Sequence, residues 1–192
     1  MEKYLTVKQR NEAENAVRSL LEAFDLDEGE HTANTPARVV KAWEERLSGY
    51  RENPAEHLQR TFPAPDRPGL IIARRVSIQS TCAHHLLPIQ GHATIAYRPQ
   101  PGQPVVGLSK LSRVAQGYAR RLQVQENITF QIVEAIEQAL NPAWCGVSIT
   151  ATHGCMIMRG VKDECSDTVT YADSGEPTES DRQAFWAACQ LD

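Results

Sequence analysis

Apolar residues in the first fifty positions recur at helical spacing. One set predicts a first helix and consists of Ala13, Ala16, Val17, Leu20, Leu21 and Phe24. The acidic stretch 25–30 ends this helix. A second helix is predicted to begin with Thr35 as N-cap and Pro36 at its first position, and to stop at Gly49. Its apolar face consists of Val39, Val40, Trp43 and Leu47.

The spacing then changes to that of strands. Residues 70–78 and 93–97 are rich in β-branched and apolar residues, and they predict two strands joined by the segment 80–91. The clearest strand follows later, where alternate positions are Val147, Ile149, Ala151, His153, Cys155 and Ile157. Residues 167–171 predict a last strand. The tail, 172–192, is predicted to open with polar turn residues and to close with a short apolar helix around Phe185 and Trp186.

Two more helices are predicted between these pairs of strands. Ser109 is the expected N-cap of the third helix, whose apolar face consists of Leu111, Val114, Ala115, Tyr118 and Leu122. The fourth carries Ile128, Ile132, Ile136 and Ala139, and the pair Asn141-Pro142 ends it. The order β-β-α-α-β-β after a helical pair, with antiparallel hairpins, indicates an α+β protein.

Composition narrows the class of protein. A chain of 192 residues with a net charge of −4 fits one domain and is a poor candidate for nucleic-acid binding. Five cysteines, an odd number in a chain of this size, disfavour a secreted disulfide scaffold. Residues 1–4 show no signal-peptide pattern, and no apolar run approaches the ~20 residues of a membrane span. We therefore expect a cytoplasmic protein without a membrane or nucleic-acid partner.

Cysteine and histidine side chains form the first candidate site. Cys82 and His85 have C-x2-H spacing, which lets one tight turn direct both side chains at one ion. Cys155 lies far along the chain, on a predicted strand that could pair near that turn. Two thiolates and one imidazole leave a fourth tetrahedral position open, which is the pattern of a catalytic zinc site.

Spacing alone leaves further roles open for these cysteines. Cysteine is often a small buried hydrophobe, and a single C-x2-H occurs by chance. Cys165 could complete a closed four-ligand structural site. Cys145 shares the strand parity of Cys155, but ten strand residues would separate them by roughly 33 Å.

Two histidines are candidates for proton transfer. His153 precedes Cys155 by two residues, so strand alternation predicts that both side chains lie on one face. Its unperturbed pKa near neutrality suits proton transfer beside a metal, although a core histidine bonded to a backbone carbonyl fits the same pattern. His84 is adjacent to His85, and only one of the two imidazoles easily serves as the C-x2-H ligand.

A second candidate site would bind phosphate and a base. Ser109 and Lys110 lie at the start of the third helix, where backbone amides attract anions, and Arg113 lies one turn on. Arg38 and Arg159 are further candidates. On the pattern alone, a solvated helix face ranks first. Glu126 could accept two hydrogen bonds from N1–H and the 2-amino group of guanine, but a carboxylate is also common in the first turn of a helix.

Taken together, these segments resemble the GTP cyclohydrolase I family. The resemblance runs in one order from about residue 12 to about residue 169. The matching segments are 35–38 (TPAR), 48–50 (SGY), 82–88 (CAHHLLP), 95–97 (IAY), 107–111 (GLSKL), 119–126 (ARRLQVQE) and 153–161 (HGCMIMRGV). Many long motifs in the same order make the resemblance specific.

The resemblance implies a role for each matching residue. It makes Cys82, His85 and Cys155 the ligands of Zn²⁺. His84 and His153 match the active-site histidines, and Gln125 and Glu126 match the contacts to the guanine edge. The implied ribose-triphosphate contacts are Ser109, Lys110, Arg113, Arg159 and, from a neighbouring subunit, Arg38. We also group Ser109 with the catalytic residues. The implied reaction hydrolyses the guanine ring of GTP at C8, releases formate and forms 7,8-dihydroneopterin triphosphate, an intermediate for tetrahydrofolate and related pathways.

The resemblance also implies an architecture. Its fold is the tunnelling fold, in which subunits pool their sheets into a barrel, and the family enzyme is a decamer of two pentamers. We expect one domain over 1–192, comprising a helical pair (1–50), a tunnelling-fold core (69–171) and a divergent tail (172–192).

Several positions depart from the family pattern. Ala83 replaces a glutamate, Arg75 replaces a common acid, and the C-terminal pattern is degraded around residues 174–185. These departures leave three alternatives: a paralogue that uses a modified guanine nucleotide, one that stops at the ring-opened formamidopyrimidine, and a non-catalytic nucleotide- or zinc-binding homologue. The zinc-free nitrile reductase of the same fold is disfavoured by the Cys-x-x-His and His-x-Cys pairs.

Overall fold

The computed structural model describes residues 5–26, 29–64, 66 and 68–190. The helices are α1 (Val7–Ala23), α2 (Thr35–Arg46), α3 (Leu108–Ala119), α4 (Gln125–Leu140), α5 (Gly154–Ile157) and α6 (Glu179–Gln190). The strands are β1 (Thr61–Phe62), β2 (Ile71–Cys82), β3 (Pro88–Arg98), β4 (Val105–Val106), β5 (Leu122–Gln123), β6 (Trp144–His153) and β7 (Thr168–Gly175). Two short 3-10 helices, Ser48–Arg51 and Pro54–Gln59, follow α2.

A five-stranded sheet in the order β5-β2-β3-β6-β7 forms the centre of the fold. Its long neighbours are antiparallel, and only the short β5 runs parallel to β2. A separate pair, β1 and β4, lies outside this sheet. The main elements follow the predicted order of two helices, two strands, two helices and two strands, which confirms the α+β class.

One face of the sheet packs against α3 and α4. Apolar side chains of β3 and β6 alternate toward these helices, which present residues at i, i+3 and i+4. The fully buried members of this core include Ile95, Val147, Ile149, Leu111, Val114, Ile128, Ile132 and Ile136. This packing holds the N-terminus of α4 against the sheet, where two predicted site residues lie.

Helix α6 covers part of the opposite face. Phe185 packs edge to face on Trp144, with ring centroids 5.6 Å apart, in a small buried cluster with Ala96. Asp181 is buried and accepts two hydrogen bonds from the Arg98 guanidinium, one of them 2.8 Å long from Nε to Oδ2. The arginine holds the pKa of Asp181 down, at about 2. The predicted short C-terminal helix is therefore present, and an ion pair docks it to β3.

The strands differ from the predicted ranges where polar residues interrupt the apolar pattern. The connection predicted at 80–91 is only a turn at 83–87, because β2 continues to Cys82 and β3 begins at Pro88. Similarly, β7 continues to Gly175, so residues 172–175 are strand and not the predicted turn. In both places the backbone ladder continues although polar side chains interrupt the apolar pattern; in β2 these side chains, Ser80 and Thr81, are buried.

The prediction that strand β6 continues to Ile157 is wrong at its C-terminal end. β6 stops at His153, and α5 begins at Gly154. The last pair of the β3–β6 ladder joins Ile89 to His153. Beyond it, β3 offers only its first residue, Pro88, which has no N–H to donate. Strand alternation is therefore not what relates His153 to Cys155.

Helix starts also differ from the predicted caps. Gly107 is the N-cap of α3, and its carbonyl accepts a 2.8 Å bond from the Lys110 amide, so Ser109 lies within the first turn. Asn34 caps α2, which places Thr35 inside the helix, and α2 ends at Arg46 before Gly49. Asn141 ends α4 in a left-handed conformation, as the Asn-Pro signal predicted. Residues 1–4, 27 and 28 lie outside the described residues.

None of the described helices combines the length and apolar character that crossing a bilayer requires.

Replacing Asp181 with Asn should lower the thermal unfolding midpoint by roughly 5–10 °C, because it removes the negative charge and one of the two acceptor oxygens that pair with Arg98. The wild-type carboxyl has a folded pKa of about 2 against an ordinary value of 3.8. Its stabilisation is therefore complete above pH ~4 and lost as the pH falls toward 2. Calorimetry between pH 2 and 7 measures both effects.

Glu179→Gln is the matched control, since this carboxylate on the same helix accepts only an exposed bond from Gln183. Equal midpoints for Asp181→Asn and wild type at pH 7 would contradict the docking role.

Candidate metal centre and active site

The turn between β2 and β3, residues 82–87, carries the first group of predicted site residues, and we call it the Cys-His turn. Two backbone bonds close it, from Cys82 N to Leu87 O (2.8 Å) and from Leu86 N to Cys82 O (2.9 Å). Leu86 adopts a left-handed φ of 59°. The amide of Ala83 donates to Gln123 O at 3.0 Å, which ties the turn to β5. The backbone alone thus defines the turn.

The turn brings a thiol and two imidazoles together. Ligand atoms of Cys82, His84 and His85 all lie within 4.8 Å of one another, close enough to hold a metal ion. Cys82 Sγ is 3.8 Å from His85 Nδ1. Cys82 is buried, whereas both histidines are exposed. The C-x2-H pair therefore meets as its spacing predicted, and His84 is close enough to be an alternative ligand.

Cys155 approaches the same thiol from another part of the chain. It lies in α5, directly after β6, and is half-buried against the core. Burial raises the pKa of Cys155, the nearby thiol of Cys82 raises it further, and the positive charge of Arg159 acts in the opposite direction. The structure therefore brings Cys155 next to Cys82, although α5 and not a strand positions it.

Cys145 and Cys165, the two other cysteines considered as metal ligands, lie elsewhere in the fold. Cys145 is buried under α4 with its thiol 3.9 Å from Val133 O, and burial raises its pKa to about 12. Cys165 is exposed, and its amide donates to Asp163 at 3.2 Å. Among the described residues, the ligand atoms that lie within 4.8 Å of one another belong to Cys82, His84 and His85. Cys145 and Cys165 are outside this group, and so is Cys155, which lies near Cys82 without meeting that distance to all three.

Arg159 contacts the cluster directly. Its Nη1 is 2.8 Å from His85 Nε2. A guanidinium only donates hydrogen bonds, so His85 Nε2 accepts here and Nδ1 carries the ring hydrogen toward Cys82. Of the cations predicted to bind phosphate, Arg159 is the one that the described contacts join to the cluster.

His153, the last residue of β6, meets the N-terminus of α4. Its Nε2 lies 2.7 Å from Gln125 Oε1. Burial lowers the pKa of His153, and the nearby carboxylate of Glu126 opposes that shift. Glu126 is exposed at the first turn of α4, whereas Gln125 is buried. The two residues predicted to bind the guanine edge thus differ in exposure.

The other four residues predicted to bind phosphate lie on two helices, α3 and α2. Ser109 and Lys110 lie in the first turn of α3, and Arg113 is exposed one turn further. Arg38 is exposed on α2. Among the described residues, the side chains of these four make no hydrogen bond or ion pair, and the contacts do not bring them to the Cys-His turn.

Sequence reasoning missed the partners of Gln125. Its Nε2 lies within hydrogen-bond distance of Ile149 O, Thr168 O and Thr170 Oγ1. Thr129 joins the same network through Thr170. In the sequence these threonines are ordinary helix and strand residues, so no local signal points to them.

The chain is similar to known proteins over most of its length. A sequence model described as GTP cyclohydrolase I matches residues 13–190. GTP cyclohydrolase 1 of Pelotomaculum thermopropionicum is 46% identical over 167 residues, which cover 86% of this chain and 88% of that protein. Its namesake in Carboxydothermus hydrogenoformans is 44% identical over 167 residues, 86% of each chain. That of Bacillus pumilus is 42% identical over 163 residues, 84% of this chain and 85% of that protein.

Among solved structures, the archaeosine synthase QueF-Like in its apo form matches with a TM-score of 0.46 and 16% identity, covering 60% of this chain and 99% of that one.

The Cys-His turn, the adjoining Cys155 and the pairing of His153 with α4 all fall within the matched residues 13–190. The relatives align over most of their own length as well as most of this chain. The chain therefore belongs to the GTP cyclohydrolase I family.

Proposed function

We propose that this chain is a zinc-dependent enzyme that hydrolyses the guanine imidazole ring of GTP at C8, releases formate and forms 7,8-dihydroneopterin triphosphate. The observation that carries this proposal is the cluster of Cys82, His84 and His85, with Cys155 near Cys82, in a member of this family. The reaction class follows from the family, and the contacts of each residue support its role.

The donor atoms of the cluster fit zinc. Thiolates and neutral imidazoles are the ligands that zinc prefers, and three protein ligands leave a position open. We assign Cys82, His85 and Cys155 as ligands, which leaves His84 for the reaction. When bound, zinc supplies Lewis-acid activation of water for attack on C8.

Binding of a metal at His85 requires Arg159 to release the ring. If Nε2 is the ligand, the ion replaces the guanidinium. If Nδ1 is the ligand, the neutral ring carries its hydrogen on Nε2. The N–H groups of His85 and Arg159 would then point at each other, which is unfavourable. In either case Arg159 becomes free to contact the substrate triphosphate.

His153 is the proposed group that moves protons as the ring opens. Burial disfavours its charged form, so the imidazole is neutral near pH 7 and can accept a proton. His84, exposed in the Cys-His turn, is the second histidine of the site. Ser109 is the proposed catalytic hydroxyl and also contacts the ribose triphosphate.

Glu126 is the proposed guanine contact, because its exposed carboxylate can accept from N1–H and the 2-amino group together. Gln125 was predicted as its companion. We propose that this buried residue supports the guanine site through its contact with His153. The triphosphate would be held by Lys110, Arg113 and Arg159, with Arg38 contributed by a neighbouring subunit.

Assembly into a barrel would bring these separated groups together. Among the described residues, β7 pairs with β6 alone, and β5 covers just the Thr81–Cys82 end of β2, so β7 and most of β2 have an open edge. Open edges are the surfaces through which subunits extend a sheet. We propose the tunnelling fold and a decamer of two pentamers, built from one domain with its helical pair at 1–50, core at 69–171 and tail at 172–192.

Ala83 supports a second candidate. This exposed residue stands beside His84 and His85, where the family pattern has a glutamate. Loss of that carboxylate would suit a paralogue that arrests at the ring-opened formamidopyrimidine or uses a modified guanine nucleotide.

The product of the reaction separates the two candidates. Zinc-loaded protein incubated with GTP should release one formate per GTP and yield a product with the mass and ultraviolet spectrum of the dihydropterin triphosphate. A ring-opened product would support arrest. No turnover of GTP or of close guanine analogues would contradict enzymatic function.

Replacing Cys155 with Ser should reduce bound zinc by at least tenfold and abolish formate release, because it removes one of three ligands. His84→Ala should keep its zinc and lose turnover, because we assign His84 to the reaction. Elemental analysis of the purified variants measures the metal. The reverse result, zinc lost from His84→Ala and kept by Cys155→Ser, would move the third ligand to His84.

Replacing Glu126 with Ala should raise KM for GTP about 10- to 100-fold at unchanged zinc content, since hydrogen bonds to a charged group contribute about 1.5–3 kcal/mol. Its exposed neighbour offers a control, and Asn127→Ala should leave KM within twofold of wild type. An unchanged KM for Glu126→Ala would remove this residue from guanine recognition.

A further inference from the structure

The side-chain amide of Gln125 has one possible orientation. Its Nε2 lies 3.0 Å from Ile149 O and 2.9 Å from Thr168 O. Both partners are backbone carbonyls, which only accept hydrogen bonds. A flipped amide would place Oε1 against these two oxygens in a buried site, so the nitrogen must face them. Two different strands, β6 and β7, thus determine the orientation of one glutamine on α4.

The neighbouring hydroxyl groups are consistent with this orientation. Thr129 Oγ1 donates to the backbone carbonyl of Gln125 at 3.0 Å. Thr129 Oγ1 is also 2.6 Å from Thr170 Oγ1, and because its own hydrogen is committed, Thr170 must be the donor of that pair. Thr170 Oγ1 therefore has its lone pairs left for Gln125 Nε2, at 3.1 Å. Gln125 Nε2 has two hydrogens for three acceptors, so one hydrogen is shared between two of them, and every donor in the network still faces an acceptor.

The orientation of Gln125 determines the tautomer of His153. With Nε2 of Gln125 facing the carbonyls, Oε1 faces His153 Nε2 at 2.7 Å and can only accept. His153 must therefore carry a hydrogen on Nε2. In the neutral ring, the lone pair is then on Nδ1.

We infer that Gln125 is a positioning residue, which holds His153 with its hydrogen on Nε2 so that Nδ1 is the nitrogen that exchanges protons with the substrate. The inference rests on the proposed function, since it concerns the same histidine and the same reaction. It gives Gln125 a role other than direct contact with guanine.

Direct contact with guanine would conflict with the packing around Gln125. The residue is 1% exposed, and both ends of its amide are already hydrogen-bonded. To reach a base, it would have to give up its hydrogen bonds to two carbonyls and to His153 in a buried site. Glu126, the next residue, is exposed and needs no such rearrangement.

The two roles predict opposite kinetic changes. A group that orients a proton-transfer residue acts in the transition state, so its loss lowers kcat and leaves KM nearly unchanged. Loss of a ground-state contact with guanine raises KM. Positioned acid–base catalysis typically contributes 10²- to 10⁴-fold, which sets the size of the expected effect.

The test replaces Gln125 with Met in the full-length, zinc-loaded protein. Met has a similar length and no comparable acceptor for His153. We expect kcat for formate release to fall about 10²-fold or more, with KM for GTP within threefold of wild type and zinc content unchanged. A KM raised tenfold or more with kcat preserved, or no change in either constant, would overturn the inference.

Gln123→Met is the matched control for loss of a buried glutamine. Gln123 is also buried, and its Nε2 donates to Tyr118 O and to Gln131 Oε1, away from His153. Its kcat should stay within threefold of wild type if the protein folds. An equal fall of kcat in both variants would assign the Gln125 effect to general disruption of the core and overturn the inference.

Gln125→Glu keeps the test decisive if the Met variant does not fold. A glutamate buried against the two backbone carbonyls should be held protonated, so that its O–H donates toward a carbonyl and its other oxygen still accepts from His153. Its kcat should therefore stay within about tenfold of wild type, well above a variant without an acceptor. A folded, zinc-containing Glu variant with a 10²-fold lower kcat would contradict the inference. Wild-type protein assayed in parallel separates the two hypotheses, because its failure to open the GTP ring would refute the proposed function itself.

Discussion

The start of β3 is the constraint on which the candidate site depends. Pro88 pairs with Thr81 on one side, and Ile89 pairs with His153 on the other. Antiparallel registers therefore place the end of β2 and the end of β6 at the same margin of the sheet. Gly154 permits the chain to turn there, because a Cβ at this position would lie 3.0 Å from Pro88 Cδ. Cys82 and Cys155 meet as a consequence of these two registers.

The core and the site share their hydrogen bonds. Helix α4 is buried along its length by packing on the sheet, and its first residue, Gln125, spans both β6 and β7. The same side chain then reaches His153. Packing thus determines which nitrogen of a candidate catalytic histidine carries a hydrogen. On the far face, the Arg98–Asp181 pair docks α6 at the end of β3 that lies away from His153.

Periodicity predicted most of the fold, because helices and strands that bury one face must repeat their apolar residues at the spacing of that face. It failed where polar side chains interrupt the apolar pattern, as at Ser80, which is buried, and Ser174, which bonds to Glu137 of α4, and where the strands nevertheless continue. It also extended β6 too far, since a sequence pattern contains no information about the proline in the partner strand. Among site residues, C-x2-H spacing predicted the meeting of Cys82 and His85, whereas the role of Cys155 followed from family resemblance.

The sequence by itself determined the α+β class, the Cys-His turn and the family, because each is encoded in local spacing or in long ordered motifs. Tertiary structure alone decided three matters. It placed Cys155 beside Cys82, joined Arg159 to His85, and buried Gln125 while Glu126 stayed exposed. Each of these depends on how strands, helices and turns pack together, and that packing links distant parts of the chain that no local pattern relates.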